Sequence, residues 1–269
     1  MKLRAQAFIN IFLKKIGQQY QLINIPIDLF DSIHIKESKE NAFTCDKFYI
    51  PTNEKNSIVQ TVKLFQKKFT IPPQEIHLVK NIPSLAGLGG RSSNAATMIN
   101  YFNEYYELGL SRKQRLELAN EISSEAMYCI DNQAVMVDKD KVIPIDRQLY
   151  FYAFVLKPNF GISSKDTYDD LLSIENNKSI DECVEALKEN EYDRLIENMH
   201  NDYESIAIEK YPKLKEYMEE LEAFGFDKVM ISATGSSVYG LTMSDDLADQ
   251  AVQHYFDKVP FVKKSRMFG

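Results

Sequence analysis

The spacing of apolar positions changes several times along the chain, and each change marks a new element. Residues 7–13 (AFINIFL) are a continuous apolar, β-prone run, and 24–29 continue in that style. Residues 32–36 alternate as S-I-H-I-K, the period-two pattern of a half-buried strand, and 43–50 read as a further strand. Over 56–69 the period lengthens. Ile58, Val62, Leu64 and Phe65 form one stripe of an amphipathic helix, with Asn53 or Thr52 placed to cap it and Pro72-Pro73 to stop it. Residues 75–81 alternate again as a strand. A loop over 83–90 feeds a long helix over 92–106, and Ser111 heads a capped helix over 112–122. Residues 135–138 and 141–145 form a hairpin around Lys139-Asp140.

A second block comes next. Residues 150–156 are a strand ending at Lys157-Pro158. From Asp166 the pattern is helical, through 180–188, 192–199 and 212–224, with Gly225 as the terminating glycine. Short strands over 228–232 and 237–242 flank Ala233-Thr234-Gly235-Ser236. A helix over 245–256 precedes a closing strand over 259–268, which belongs to either half. This order predicts an α+β chain in two parts, 1–150 and 151–269.

Composition narrows the function. The 269 residues suffice for a sizeable core, and 44% hydrophobic with 26% charged residues is ordinary for a globular protein. A net charge of −7 repels phosphate backbones at long range, so nucleic acid is not an expected partner, although a local pocket for a small phosphate ligand is unaffected. Cys45, Cys129 and Cys183 are far apart with no C-x-x-C pair, and His34, His77, His200 and His254 are scattered, which argues against a disulfide scaffold and a structural zinc. The opening MKLRAQAFINIFLKKIG is interrupted by Gln6 and Asn10 and leads to no cleavage pattern. With no run approaching the roughly 18 apolar residues of a membrane span, a cytoplasmic protein without a membrane partner is expected.

The most informative segment is PSLAGLGGRSSNAATMINYF, residues 83–102. Gly87, Gly89 and Gly90 lie directly ahead of a helix, where glycine admits positive φ and close approach of a ligand. The helix opens with N–H groups at Ser92, Ser93 and Asn94 that have no partner one turn back. Together with the helix dipole they form an anion site. Ala95 and Ala96 let the helix pack closely beneath it. The plainer alternative is a glycine-rich turn with a serine cap. No Gly-Lys-Ser/Thr comes after it, so this is not the P-loop, and the third glycine of the dinucleotide fingerprint is missing.

P-S-L-A-G-L-G-G-R-S-S-N-A-A-T resembles the phosphate loop of the GHMP kinases, and within that superfamily the chain is most similar to the 4-diphosphocytidyl-2-C-methyl-D-erythritol kinases. Further likenesses occur in family order: AQAFINIFL (5–13), GQQYQL (17–22), 56–62, KPNFGISSKDTY (157–168), 201–204, Tyr211-Pro212 and ISATGSSVYG (231–240). The resemblance implies a GHMP two-domain fold, with an N-terminal half like ribosomal protein S5 domain 2 and a ferredoxin-like α+β C-terminal half. It implies transfer of the γ-phosphate of ATP to a hydroxyl of a small-molecule alcohol, the cytidine diphosphate-linked one in that family, by a monomer or homodimer using Mg²⁺. It assigns Gly87, Leu88, Gly89, Gly90, Arg91, Ser92, Ser93 and Asn94 to the phosphates, and Asn56 to the adenine side. Ser92 and Ser93 go to the metal, Asn10, Tyr20, Gln21, Thr234 and Gly235 to the substrate, and Glu125 to catalysis.

The chain departs from the family at these same positions. Phe8 stands where the family has a lysine, which would favour the ionised catalytic acid. Ser123-Ser124-Glu125-Ala126-Met127-Tyr128 replaces Gly-Ala-Asp-Val-Pro-Phe, extending the carboxylate by about 1.5 Å. Tyr20-Gln21 replaces Tyr-His, Ala233-Thr234-Gly235-Ser236-Ser237 is poorer in glycine, and Arg91 replaces a small residue, either to bind phosphate or to fill the site. Lys14 or Lys15 is placed to supply the missing charge. Phe8 also reads as core, Glu125 as a helix-end acid, Tyr20 as packing and Asp166 as a helix cap. Two functions of different kinds therefore stand, an ATP-dependent kinase for this or another small alcohol, and a nucleotide- or metabolite-binding relative that has lost turnover.

Overall fold

The computed structural model describes residues 1–147, 149–163 and 178–267. The helix expected from Asp166, and the end of the segment 157–168, lie outside the described residues. Two compact units emerge, one of residues 1–7, 29–82 and 89–132, the other of 8–28, 83–88 and 133–269. The long strands β1 (Lys2–Ile16) and β2 (Gln19–Glu37) contribute to both.

β2 is continuous where two strands, 24–29 and 32–36, are expected. Asp31 does not break it, because its buried carboxylate finds hydrogen-bond donors. In the first unit the later part of β2 pairs antiparallel with β4 (Gln74–Val79), Ile33 opposite Leu78 and Ile35 opposite Ile76. β3 (Ala42–Cys45) adds in parallel to β4 and stops short of the expected 50. There Asp46 Oδ1 accepts the Lys80 N–H at 2.8 Å, and the chain turns out of the ladder.

Four helices complete this unit: α1 (Ser57–Lys68), α2 (Gly90–Tyr105), α3 (Arg112–Ile122) and α4 (Ser124–Met127). The cap of α1 is Asn56, whose side chain accepts from Ile58 N, in place of the expected Asn53 or Thr52. Asn53 instead closes a local turn by accepting from Lys55 N. Ile58, Val62 and Phe65 are buried, and Phe65 meets Phe102 of α2 with ring centroids 5.0 Å apart. Ser111 and Gln114 form the capping box of α3, as the sequence predicts. α4 is too short to leave a periodic signal.

In the second unit one sheet runs β6–β5–β2–β1–β8. The hairpin of β5 (Val135–Asp138) and β6 (Lys141–Pro144) lies where expected, and the two-residue β8 (His200–Asn201) pairs parallel to β1. The other sheet holds β7 (Phe151–Lys157), β9 (Lys228–Ile231), β10 (Val238–Thr242) and β11 (Phe261–Met267), in the antiparallel order β11–β7–β10–β9. Numbered within that sheet the order is 4-1-3-2, the ferredoxin-like arrangement. The closing strand therefore belongs to the second half. Among the described residues the helices of this unit are α5 (Ile180–Glu189), α6 (Tyr192–Asn198), α7 (Glu204–Lys210), α8 (Lys213–Phe224) and α9 (Asp245–Tyr255). Gly225, at φ 110°, closes α8, and α7 has no counterpart in the sequence reading. Among the described residues no helix is long and apolar enough to cross a membrane.

Candidate functional site

Peptide geometry leaves N–H groups of the glycine loop without acceptors among the described residues. In the second unit Ala86 O accepts from Ser237 N at 3.1 Å, Gly87 O from Ser232 Oγ at 2.8 Å and Leu88 O from Phe8 N at 3.1 Å. A trans peptide points its C=O and N–H in opposite directions. Tying those three carbonyls to the protein turns the N–H groups of Gly87, Leu88 and Gly89 the other way, and these donate to no group among the described residues. Gly87, at φ 70°, has no substitute, since a Cβ there would lie 2.1 Å from Ser232 O.

In the first unit Gly89, at φ 66°, precedes α2 without a capping side chain. The first helical hydrogen bond runs from Ser93 N to Gly89 O, leaving the N–H groups of Gly90, Arg91 and Ser92 without acceptors among the described residues. Ser92, Ser93 and Asn94 are buried, as are Ala95 and Ala96 beneath them. The Ser92 hydroxyl donates to Glu125 Oε2 at 3.3 Å, which brings together two residues that the sequence connects only through resemblance. Glu125 is half-buried in the first turn of α4, whose cap is Ser123.

Other predicted residues hold specific partners. The exposed Arg91 directs its guanidinium at Gln60 Oε1 of α1, 3.4 Å away, while its carbonyl accepts from Ser57 Oγ at 2.7 Å. Asn56 caps α1 through Oδ1 and donates Nδ2 to Pro51 O at 3.0 Å, so both ends of its amide serve the helix entry. In the second unit Asn10 Nδ2 donates to Asn24 Oδ1 at 2.9 Å, and its carbonyl accepts from Tyr239 Oη at 2.8 Å. Gln21 Nε2 donates to Asp138 Oδ1 at 2.9 Å, and the half-buried Tyr20 accepts Lys139 N through its carbonyl. Thr234 is buried. Gly235, at φ 84°, sits on a turn that Asn201 braces by donating Nδ2 to Ile231 O and Ala233 O, both at 2.9 Å. The bonds from Ser232 and Ser237 make this turn the direct support of Gly87.

Phe8 is 1% exposed, so its ring belongs to the core and its backbone holds the loop. Lys14 Nζ donates to Lys178 O at 3.2 Å, and the backbone N–H of Lys15 donates to Asp202 Oδ2 at 2.7 Å.

Sequence reasoning missed Asp31 and Lys80 of the first unit. They form an ion pair at 2.8 Å with side chains 0% and 7% exposed. Burial pushes the Lys80 ammonium below its usual range, and Asp31 works against that fall. The available signal was an acid, Asp31, three residues after Asp28 within an otherwise apolar run. Asn24, Asp138 and Asn201 were missed as well, and the register placing Gln21 opposite Asp138 emerges only once β2 and β5 pair. A shallow depression in the second unit, lined by residues including Asn159, Lys213, Tyr217, Asp257 and Lys258, includes none of the predicted site residues.

Residues 56–138 match the GHMP kinases N terminal domain, and 183–259 match GHMP kinases C terminal. A 4-diphosphocytidyl-2-C-methyl-D-erythritol kinase of Clostridium perfringens is 31% identical over 252 residues, 89% of this chain and 88% of that relative. Its namesake in Clostridium botulinum is 30% identical over 250 residues, 88% of this chain and 89% of the relative. A crystal structure of 4-(cytidine 5'-diphospho)-2C-methyl-D-erythritol kinase, 20% identical, matches with a TM-score of 0.84 over 100% of both chains, a likeness of fold.

Proposed function

The chain belongs to the GHMP kinases and, among them, to the 4-diphosphocytidyl-2-C-methyl-D-erythritol kinases, and from that premise we propose that it transfers the γ-phosphoryl group of ATP to a hydroxyl of a small alcohol, the cytidine diphosphate-linked methylerythritol named in those relatives, as a cytoplasmic step of isoprenoid precursor synthesis. The observation that carries this reading is the row of N–H groups from Gly87 to Ser92, none spent on the described residues. Phosphoryl transfer needs mostly positioning and stabilisation of charge. Backbone N–H groups and a helix N-terminus provide both for the β- and γ-phosphates.

Mg²⁺ fits the donors present. A hard cation takes oxygen ligands and is commonly bound through one or two side chains plus substrate phosphates. The Ser92 hydroxyl is such an oxygen, with Ser93 the next hydroxyl along. Among the described residues no group of three or more His, Cys, Asp or Glu could cage a metal without the nucleotide. When bound, the ion neutralises charge on the transferring group. Glu125 takes the proton of the attacking hydroxyl onto its carboxylate.

Phe8 favours a second reading, a nucleotide-binding relative without turnover, because the core ring puts no cation where the family has one. Coupled ADP release over a panel of alcohols that includes the cytidine diphosphate-linked one separates the two. The kinase reading expects turnover with that substrate, and Glu125→Gln should lower kcat about 10²–10⁴-fold with the KM for ATP within a few-fold. Binding of an ATP analogue without turnover of any alcohol would establish the second reading.

A further inference from the structure

A single buried carboxylate holds both flanks of the glycine loop. Asp31 Oδ1 accepts the backbone N–H groups of Asn81 at 2.9 Å and Ile82 at 2.8 Å, where the chain leaves β4 for the loop. Asp31 Oδ2 accepts Lys80 Nζ at 2.8 Å and Asn94 Nδ2 at 3.1 Å, the latter one turn into α2. All these residues lie in the first unit. Four donors satisfy a carboxylate that is completely buried.

Lys80 adds a second constraint. Its ammonium also donates to Ile82 O, and a Cβ built on Gly90 would lie 3.1 Å from Lys80 Nζ and from Ile82 Cγ2. The first residue of α2 therefore rests on the ion pair. Asn94 shows which demand dominates. The carboxylate has no hydrogen to give, so Asn94 must present its nitrogen, and its Oδ1 is left buried without a donor among the described residues. Support of α2 alone would be better served by a side chain leaving no polar atom unpaired.

We propose that Asp31 is a positioning residue of the phosphate loop: through Asn81, Ile82, Lys80 and Asn94 it fixes the start of α2 relative to the strand end that feeds the loop, and so sets where the N–H groups of Gly90, Arg91 and Ser92 face. This rests on reading the loop as the ATP site. Asp31→Asn cuts the ties at Oδ2 alone. Its oxygen still accepts from Asn81 and Ile82, but its new NH₂ faces the NH₂ of Asn94 and the Lys80 ammonium. The exchange Asp31→Asn with Asn94→Asp restores a donor–acceptor pair at unchanged net charge.

The test is calorimetric titration of the full chain with Mg²⁺ and a non-hydrolysable ATP analogue, alongside steady-state kinetics and thermal unfolding. Asp31→Asn should raise the Kd and the KM for ATP about tenfold or more, leaving the KM for the alcohol unmoved. The exchange variant should recover most of that loss. Asn94→Ala, a milder cut, keeps the test open should Asp31→Asn not fold. Folded variants with wild-type Kd and a lowered Tm would reduce Asp31 to a structural ion pair and overturn the proposal, while the ATP reading stands. Failure of the wild-type chain to bind the analogue would overturn the ATP reading itself and the proposal with it.

Discussion

Glu125 and Phe8 are the residues at which this chain differs most from the family pattern, and each invites the reverse substitution. Phe8→Lys would return the family's lysine, but Phe8 is 1% exposed. An ammonium there loses its hydration and leaves a cavity, so a loss of about 3 kcal/mol or more is expected in thermal unfolding. Glu204 offers a test by pH. Burial pushes its carboxyl above the usual range, against the hydrogen bond it accepts from Ile231 N at 3.0 Å. A raised carboxyl is less favourable when charged in the fold. It therefore subtracts stability at neutral pH, and the penalty fades as pH falls through the folded value towards the unfolded one. Glu204→Gln keeps the acceptor, so it should raise Tm at pH 7 and give no gain near pH ~4. A gain that persists at low pH would contradict this account. At this scale loop composition and family order single out Ser92, Ser93 and Glu125 as candidates, and the structure places the Ser92 hydroxyl 3.3 Å from Glu125. Asp31 and Lys80 escaped, since a partnership across 49 positions leaves no local pattern.

Among the elements the glycine loop shows how much backbone conformation decides. Gly87 and Gly109 have similar φ, 70° and 64°, yet a Cβ on Gly87 meets Ser232 O at 2.1 Å and one on Gly109 meets nothing within 4 Å. Gly109→Ala should cost only the left-handed strain, about 1–2 kcal/mol. Gly87→Ala must also displace the Ala233–Gly235 turn, and it should abolish binding of the ATP analogue while Gly109→Ala leaves it intact. Calorimetry on both variants checks the contrast, and equal losses would contradict it. α1 is legible from its apolar stripe, α3 from its cap, α8 from its closing glycine and α2 from the glycine loop that feeds it. The sequence pattern divides β2 because Asp31 looks polar until its buried partners are known. α4 and β8 are too short to carry a period. The α1 cap falls on Asn56 and not on Asn53: both residues suit a cap, and only the bonds from Ile58 N to Asn56 and from Lys55 N to Asn53 separate them.

For the molecule as a whole, the compact units do not follow chain order, because β1 and β2 run through both. That interleaving depends on strand pairings distant in sequence, which periodicity does not show. The 4-1-3-2 order of the second sheet came only as an implication of the family resemblance. A net charge of −7 gives no hint of the proposed anion site, because the groups that would make it are backbone N–H dipoles, which carry no formal charge. The central claim is that these N–H groups hold the phosphates of ATP, and amide-resolved NMR of the full chain during titration with Mg²⁺ and a non-hydrolysable ATP analogue tests it most directly. The account predicts that the largest saturable shifts fall on Gly87, Leu88, Gly89, Gly90, Arg91 and Ser92. Saturable binding that leaves those six amides in place and moves others would contradict it.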